Sequence, residues 1–434
     1  NKAIQIALIL MLANRLNNFL KTRNIHYGWM MSFLVFFMTI FSAAVGSSPQ
    51  ILILPLNEEF NWSISDISIA IALMYLILAS ISPFSGALIL KFGITNTILV
   101  TITLDLLSLF LTVFAFEKWH LLVSIGICLG VASGIIGLGL AATVATRWFN
   151  KKRGLVVGVL TAAYAAGTLL FVPLMAWITT QVDWRYALLP PMLGISFSGI
   201  LFLLFSKDWP SELNLPPLGS DKIFIPPSEN KNNFVSLSFK VLFDAIYHPA
   251  FWLLALTFLI CGLTSTGIVG QHFIPFCADN NIGIVVASSY LAIMGLFNFI
   301  GTTFSGWLSD RFDNYKLLMI YYSLRGISLI YLPYSDFSVY ALTLWAIFFG
   351  LDFVATVPPT VRLTSKYFGT VNGPVLFGWI FASHQFGSAI AAYGAGFTRD
   401  SLLSYVPAFL FAGLLCFVAS LMIITFKLSS LKRV

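Results

Sequence analysis

Twelve apolar runs, each about as long as a bilayer core is thick, recur along this chain and leave it few ways to fold. They cover approximately 28–54, 67–90, 95–115, 121–146, 155–179, 185–205, 250–276, 285–309, 316–334, 338–362, 373–397 and 402–426. A helix needs roughly 20 residues to cross hydrocarbon. The runs do not alternate polar with apolar, as the strands of a membrane barrel do. In lipid, every backbone N–H and C=O must find a partner within the chain, so helices remain. Composition points the same way: 9% of the residues are charged and 58% are hydrophobic. Soluble domains carry about 25% charged residues. The expected fold class is an all-α membrane protein.

Residues 1–26 precede the first span. Their apolar stretch, Ala3 to Ala13, is too short to cross and is followed by Arg15, Lys21 and Arg23. It reads as an interfacial segment. No small-residue cleavage site follows it, so a cleaved signal peptide is not expected. With an even number of spans, both ends of the chain share one side. Of the 24 Lys and Arg, only Lys118, Arg185 and Arg399 fall on the other side, and Arg325 falls within the membrane. The opposite loops hold Glu58, Glu59, Asp66, Glu117, Asp183, Asp279, Asp336 and Asp400. Basic loops remain cytoplasmic, so both termini are expected in the cytoplasm of a bacterium, with the protein in the inner membrane. The net charge of +7 then reflects topology, and no nucleic-acid partner is expected. Cys128, Cys261, Cys277 and Cys416 show neither metal nor redox spacing. They read as packing residues, and no metal or cofactor is expected.

Residues 207–248 form the one long polar stretch, with Pro210, Pro216, Pro217, Lys222, Pro226, Pro227 and Lys231. This composition predicts a partly disordered cytoplasmic linker. It separates an N-terminal six-helix bundle at 27–206 from a C-terminal one at 249–427, with a tail at 428–434. The halves repeat at an offset of about 220: Pro83-Phe84-Ser85-Gly86 matches Thr303-Phe304-Ser305-Gly306. Phe149 matches Phe368, Gly154 matches Gly373, Gly167 matches Gly387, and His26 matches His248. Two parallel repeats about an axis normal to the membrane suit alternating access by rocking.

Gly306-Trp307-Leu308-Ser309-Asp310-Arg311, followed by Lys316, resembles the second copy of the loop signature of the major facilitator superfamily. Several further motifs are similar to its monocarboxylate and oxalate/formate transporter branch. They are Tyr27-Gly28-Trp29, Arg147-Trp148-Phe149 with Lys152-Arg153-Gly154, Pro173-Leu174, Asp183-Trp184-Arg185, Gly350-Leu351-Asp352 through Val357-Pro358-Pro359, and Phe368-Gly369. The resemblance runs from about residue 26 to residue 427. It implies two pseudo-symmetric bundles around a central cavity. It also implies a cytoplasmic gate in which Gly306, Asp310 and Arg311 work with Arg362 at the end of span 10. The first-half copy departs: Leu90 stands where the acid belongs and Lys91 where the arginine belongs. Arg147 is thereby left without the partner the family gives it.

Polar groups inside spans are costly and mark function by default. Arg325 and Asp352 lie in consecutive antiparallel spans. Each sits roughly ten residues from the cytoplasmic end, about 15 Å at about 1.5 Å per residue. They are expected to form a buried charge pair, either structural or engaged with substrate or proton. His384, with Gln385 beside it, is mid-span, and its repeat equivalent is Tyr164. His272 matches Gln50 at an offset of 222. A histidine titrates near physiological pH and can relay a proton or pair with an anion; the alternative for each is an interhelical hydrogen bond. Asn298 is a further polar candidate in span 8. The fixed cations of oxalate carriers are absent: Thr302 holds the arginine position and His384 the lysine position. Gln50 follows Pro49 where animal monocarboxylate carriers have lysine.

These features predict a monomeric secondary transporter for a small organic acid, coupled to a proton or a counter-substrate. A carboxylate siderophore importer and a proton-driven drug or metabolite exporter share the scaffold. A sensor would need a signalling domain that the linker and short tails are too small to form. No nucleotide loop, zinc motif or nucleophile elbow points to an enzyme.

Overall fold

The computed structural model describes residues 2–136, 139–223 and 234–431. Pro226, Pro227 and Lys231 of the linker lie outside the described residues, as do Asn1 and the end of the tail from residue 432. Among the described residues, 10 helices are long and apolar enough to cross a membrane. One of these, Ile64–Val113, is really two spans. Ser82–Phe84 tightens into a 3-10 turn, and Gly93 leaves helical geometry at φ 81°. A further helix, Asn314–Tyr331, carries Lys316 and Arg325, which lowers its hydropathy, yet it packs along the last span. With Gly93 dividing the second and third, the twelve spans are Tyr27–Phe60, 64–92, 94–113, Lys118–Trp148, Arg153–Gln181, Trp184–Phe205, Pro249–Asp279, Ile284–Arg311, Asn314–Tyr331, Val339–Gly369, Asn372–Leu402 and Val406–Leu431.

Local chemistry sets where the spans begin. Ser63 and Asp66 close a capping box on span 2. Ser338 accepts the Ala341 N–H at the start of span 10, satisfying one of the donors a helix start leaves open. The two matched histidines cap their halves alike. His26 Nδ1 accepts the Gly28 N–H at 3.0 Å, and His248 Nδ1 accepts the Ala250 N–H at 3.1 Å.

The repeat also governs how spans cross. A β-carbon on Gly167 would fall 2.2 Å from the Ile40 carbonyl oxygen, and one on Gly387 would fall 2.0 Å from that of Leu259. Span 5 thus crosses span 1 backbone to backbone, and span 11 crosses span 7 in the same way. Lipid gives helices no hydrophobic reason to associate, so close van der Waals approach at small residues does that work.

The bundles meet where span 2 packs on span 11 and span 5 on span 8. Away from the linker, Gly396 lies against Ser68. At mid-depth, Ala389 and Ala392 pack with Ile71, Met74 and Tyr75. On the linker side, Gly378 lies against Pro83, and Phe84 meets Trp379 edge-on with centroids 5.6 Å apart. The linker helix Phe234–Ala245 sits under this seam. Its Phe239 touches both rings, and its Ser238 Oγ accepts the Trp379 Nε1–H at 3.0 Å. The N-terminal helix Lys2–Thr22 packs on span 6, with Ala13, Leu16 and Leu20 turned into the core.

The linker is expected to be partly disordered, and its first described part is a strap seated on the N-terminal bundle. Leu218 bridges to Phe149, exchanging backbone hydrogen bonds with Trp148, Asn150 and Lys151. His26 Nε2 meets the Pro216 carbonyl at 2.9 Å. A proline-rich segment holds its shape here because its backbone groups find partners on the bundle.

The strap contact is pH-sensitive by its chemistry. Burial holds the His26 pKa below its ordinary 6.5, opposed by its bond to Pro216. With Nδ1 accepting, the ring is neutral when seated. The stabilisation is therefore intact above the ordinary value and declines as pH falls from there through the lowered folded value. Limited proteolysis of the strap is expected to be slow at neutral pH and faster in mild acid, with His26→Gln removing the pH dependence.

Candidate functional site

A site shared by two rocking bundles needs polar groups from both, at mid-depth, without protein partners for all of their atoms. A buried polar atom left unpaired costs about 1–3 kcal/mol, so each such atom calls for water or a ligand. Between the bundles, Gln271 Nε2 of span 7 donates to Tyr75 Oη of span 2 at 2.8 Å. Gln271 Oε1 has no partner. On span 11, His384 Nδ1 and Gln385 Oε1 are likewise buried and unpaired.

His384 is held by packing. Its ring lies against Phe258 and Phe381, with centroids at 4.8 and 5.8 Å, beside the Cys261 thiol. Gln385 falls on the face of span 11 that carries Ala389 and Ala392 toward span 2. Tyr164 of span 5 is 56% exposed. Its hydroxyl would be 3.8 Å from a β-carbon on Gly46 of span 1. One turn on, Thr168 Oγ1 meets Ser47 Oγ of span 1 at 3.3 Å.

Asn298 and Thr302 form a hydrogen-bonded pair one turn apart on span 8, Thr302 Oγ1 donating to Asn298 Oδ1 at 3.0 Å. They continue the face that Gly295 turns toward Ala165 of span 5. Gln50 is buried in the second half of span 1, after the break at Ser47.

His272 needs a correction. It is fully buried, with Nδ1 3.2 Å from Tyr405 Oη and Nε2 2.7 Å from the Ala392 carbonyl oxygen. Both ring nitrogens are spent on tying span 7 to span 11 and to the start of span 12, leaving none for a solute. Its neighbour Gln271, about 100° around the helix, faces the other bundle instead.

Arg325 and Asp352 are an ion pair, with Nε to Oδ2 at 2.6 Å and the arginine side chain 0% exposed. Nη2 donates to the carbonyls of Asp352 and Phe353 at 2.6 and 3.2 Å. Nη1 reaches Cys261 Sγ at 3.0 Å and Thr264 Oγ1 at 3.5 Å. The guanidinium is thus satisfied all round by spans 7 and 10. Asp352 Oδ1 has no partner.

On the linker side, Asp310 pairs with Arg362. Arg311 turns away and stacks over Trp307 at 4.2 Å, while Gly306 has open space where a side chain would be. On the opposite face, Asp400 of span 11 accepts the Ser65 and Ile64 N–H groups at 2.6 and 3.3 Å. A carboxylate on a helix start is favourable both as a cap and for the macrodipole. This contact clips the two bundles together at the end remote from the linker.

Among the described residues, no three His, Cys, Asp or Glu gather where a metal would sit. The groups facing the interface are amides, phenols, hydroxyls and one imidazole, and the interior arginine is already engaged.

Two pseudo-symmetric six-helix bundles that meet along spans 2, 5, 8 and 11, with buried unpartnered polar atoms on spans 7 and 11, have the architecture of a membrane transporter. A family model of the Major Facilitator Superfamily matches residues 31–355 and 273–432, and the chain belongs to that superfamily. It is 26% identical to the MFS-type transporter YcxA of Bacillus subtilis, over 86% of this chain and 90% of that protein. It is 23% identical to monocarboxylate transporter 13 of Rattus norvegicus, over 92% and 89% of the two chains. It is also 23% identical to the oxalate:formate antiporter of Oxalobacter formigenes, over 84% and 83%. In fold it is similar to the xylose transporter XylE of E. coli in a partially occluded inward-open conformation. The TM-score there is 0.70 at 13% identity, over 92% of this chain and 98% of that one.

Sequence reasoning passed over Gln271, Tyr75 and Asp400. An offset of 221 would have matched Gln50 to Gln271, glutamine with glutamine, where 222 selected His272. Tyr75 gives no signal, since a tyrosine in an apolar run is ordinary packing. Asp400 was counted only as one of the opposite-side acids.

Proposed function

We propose that this chain carries a small organic acid, together with a proton, across a bacterial inner membrane by alternating access. In this reading the chain acts as a monomer with both termini cytoplasmic. Gln50, Tyr75, Tyr164, Gln271, Asn298, Thr302, His384 and Gln385 line the pocket. The Asp310–Arg362 pair, with Gly306 and Arg311, belongs to the cytoplasmic gate. The observation that carries the reading is the set of buried, unpartnered atoms Gln271 Oε1, His384 Nδ1 and Gln385 Oε1, in a site with no free lysine or arginine among the described residues. Amide carbonyls want donors. A carboxylic acid in its protonated form, or one bearing hydroxyls, supplies them without a fixed counter-cation. A dianion such as oxalate would be left uncompensated. The monocarboxylate and antiporter relatives support the carboxylate class.

Purified protein incubated with a panel of organic acids at about pH 5.5 and about pH 7.5 tests the proposal. A ligand at a hundred times its Kd stabilises the fold by about 2.7 kcal/mol. Monocarboxylic acids are expected to raise the melting temperature most at the lower pH, and to undergo counterflow in proteoliposomes. Stabilisation by siderophores or lipophilic cations alone would transfer the assignment to an importer of the former or an exporter of the latter. No response to any acid at either pH would end the proposal.

A further inference from the structure

Span 9 starts with its own cap. Asp313 Oδ1 accepts the Tyr315 N–H at 2.8 Å, and the other carboxylate oxygen pairs with Lys427. At an offset of 220, the first-half counterpart of Tyr315 is Thr95 and that of Asp313 is Gly93. Gly93 has no carboxylate to give. The Thr95 N–H is nevertheless capped at 2.8 Å, by Oδ1 of Asp208. A β-carbon on Gly93 would fall 2.0 Å from Asp208 Oδ2, so the strap's carboxylate fills the space of the missing side chain. Ser206 Oγ adds a bond to Thr95 Oγ1 at 3.0 Å.

The same turn of strap meets Arg147, the residue left unpartnered by Leu90. Its guanidinium stacks 4.3 Å over Trp209, and Nη1 reaches the Asp208 carbonyl at 3.5 Å. Asp208 and Glu212 are the carboxylates whose charge it feels. Glu212 Oε1 accepts the Asp208 and Trp209 N–H groups at 2.9 and 3.0 Å, fixing the turn.

We propose that Asp208 is a positioning residue of the transport cycle. It supplies from the linker the carboxylate that the first-half loop lacks, holding the start of span 3 and the end of span 4 in the closed linker-side arrangement. The segment joining the bundles is then part of the gate, and unseating it frees the N-terminal bundle to open on that side.

Spin labels at Asn96→Cys and Lys316→Cys test this in the full-length protein. These exposed positions are matched at an offset of 220 at the starts of spans 3 and 9, and the described native cysteines are buried. Pulsed electron resonance reads the distance between them. Asp208→Ala is expected to move the population ratio about tenfold toward the longer distance, a typical coupling. Asp208→Asn keeps an oxygen for the Thr95 N–H and caps about as well as aspartate, so it is expected to keep the short one. An unchanged distribution in Asp208→Ala overturns the proposal, as does Asp208→Asn shifting as far as Asp208→Ala. Asp208→Leu, close in size but without an acceptor, decides the matter if the alanine variant does not fold.

Discussion

Replacing Arg325 by alanine is expected to cost the fold about 3–5 kcal/mol, the loss seen when one member of a buried ion pair is removed. Total stability is of order 5–15 kcal/mol, so the variant should be scarcely recoverable in detergent. The cost arises in what remains. Asp352 would keep a charge at mid-membrane with no guanidinium against Oδ2, and its carbonyl and that of Phe353 would lose their donor. The Cys261 and Thr264 side chains would lose theirs too. The paired replacement Arg325→Met with Asp352→Leu removes both charges at once and is expected to return most of the melting temperature, since apolar replacements of buried pairs are often neutral. Thermal unfolding followed by size-exclusion chromatography reads both. A wild-type melting temperature for Arg325→Ala would show that the pair does not hold spans 9 and 10 together. A stable but transport-dead double variant would give the pair a role in the cycle as well.

The second large effect is expected at His384. His384→Ala should lower uptake by at least about tenfold while leaving expression and melting temperature near wild type. Leaving a buried group without its hydrogen-bond partner costs about 1–3 kcal/mol, and Nδ1 is unspent in the protein itself. His272 is the internal contrast, because both of its nitrogens are committed to Tyr405 and Ala392. His272→Ala should therefore damage stability before it damages transport in the surviving protein. The test is initial rates in proteoliposomes, normalised to folded carrier, for both variants. Transport-competent His384→Ala, or a folded and transport-dead His272→Ala, would reverse the two assignments.

The two histidines also show where reading a sequence stops. Each is an imidazole within a span of the C-terminal half, so residue type ranks them alike. About 100° of helix rotation separates Gln271 from His272, and that rotation alone decides which faces the other bundle. A one-residue choice of repeat offset is enough to miss it. The strap is a case of another kind. Leu90 shows that the first-half loop lacks its acid, which is legible in the sequence. That Asp208, more than a hundred residues along, fills the gap is not, because its carboxylate meets Thr95 only once span 6 has returned the chain to that surface.

The sequence by itself determined the solvent, the helical class, the span boundaries to within a few residues, the duplication and the superfamily. The superfamily comes from the resemblance of its motifs, and the others follow from hydropathy, charge asymmetry and local spacing, which act along the chain. Only the tertiary structure decided which polar atoms are paired and which remain open: Arg325 consumed by five acceptors, His272 by two, and Gln271, His384 and Gln385 left with an atom unmatched. Hydrogen-bond satisfaction depends on side chains brought together from different spans, and on which face each helix turns toward its neighbour.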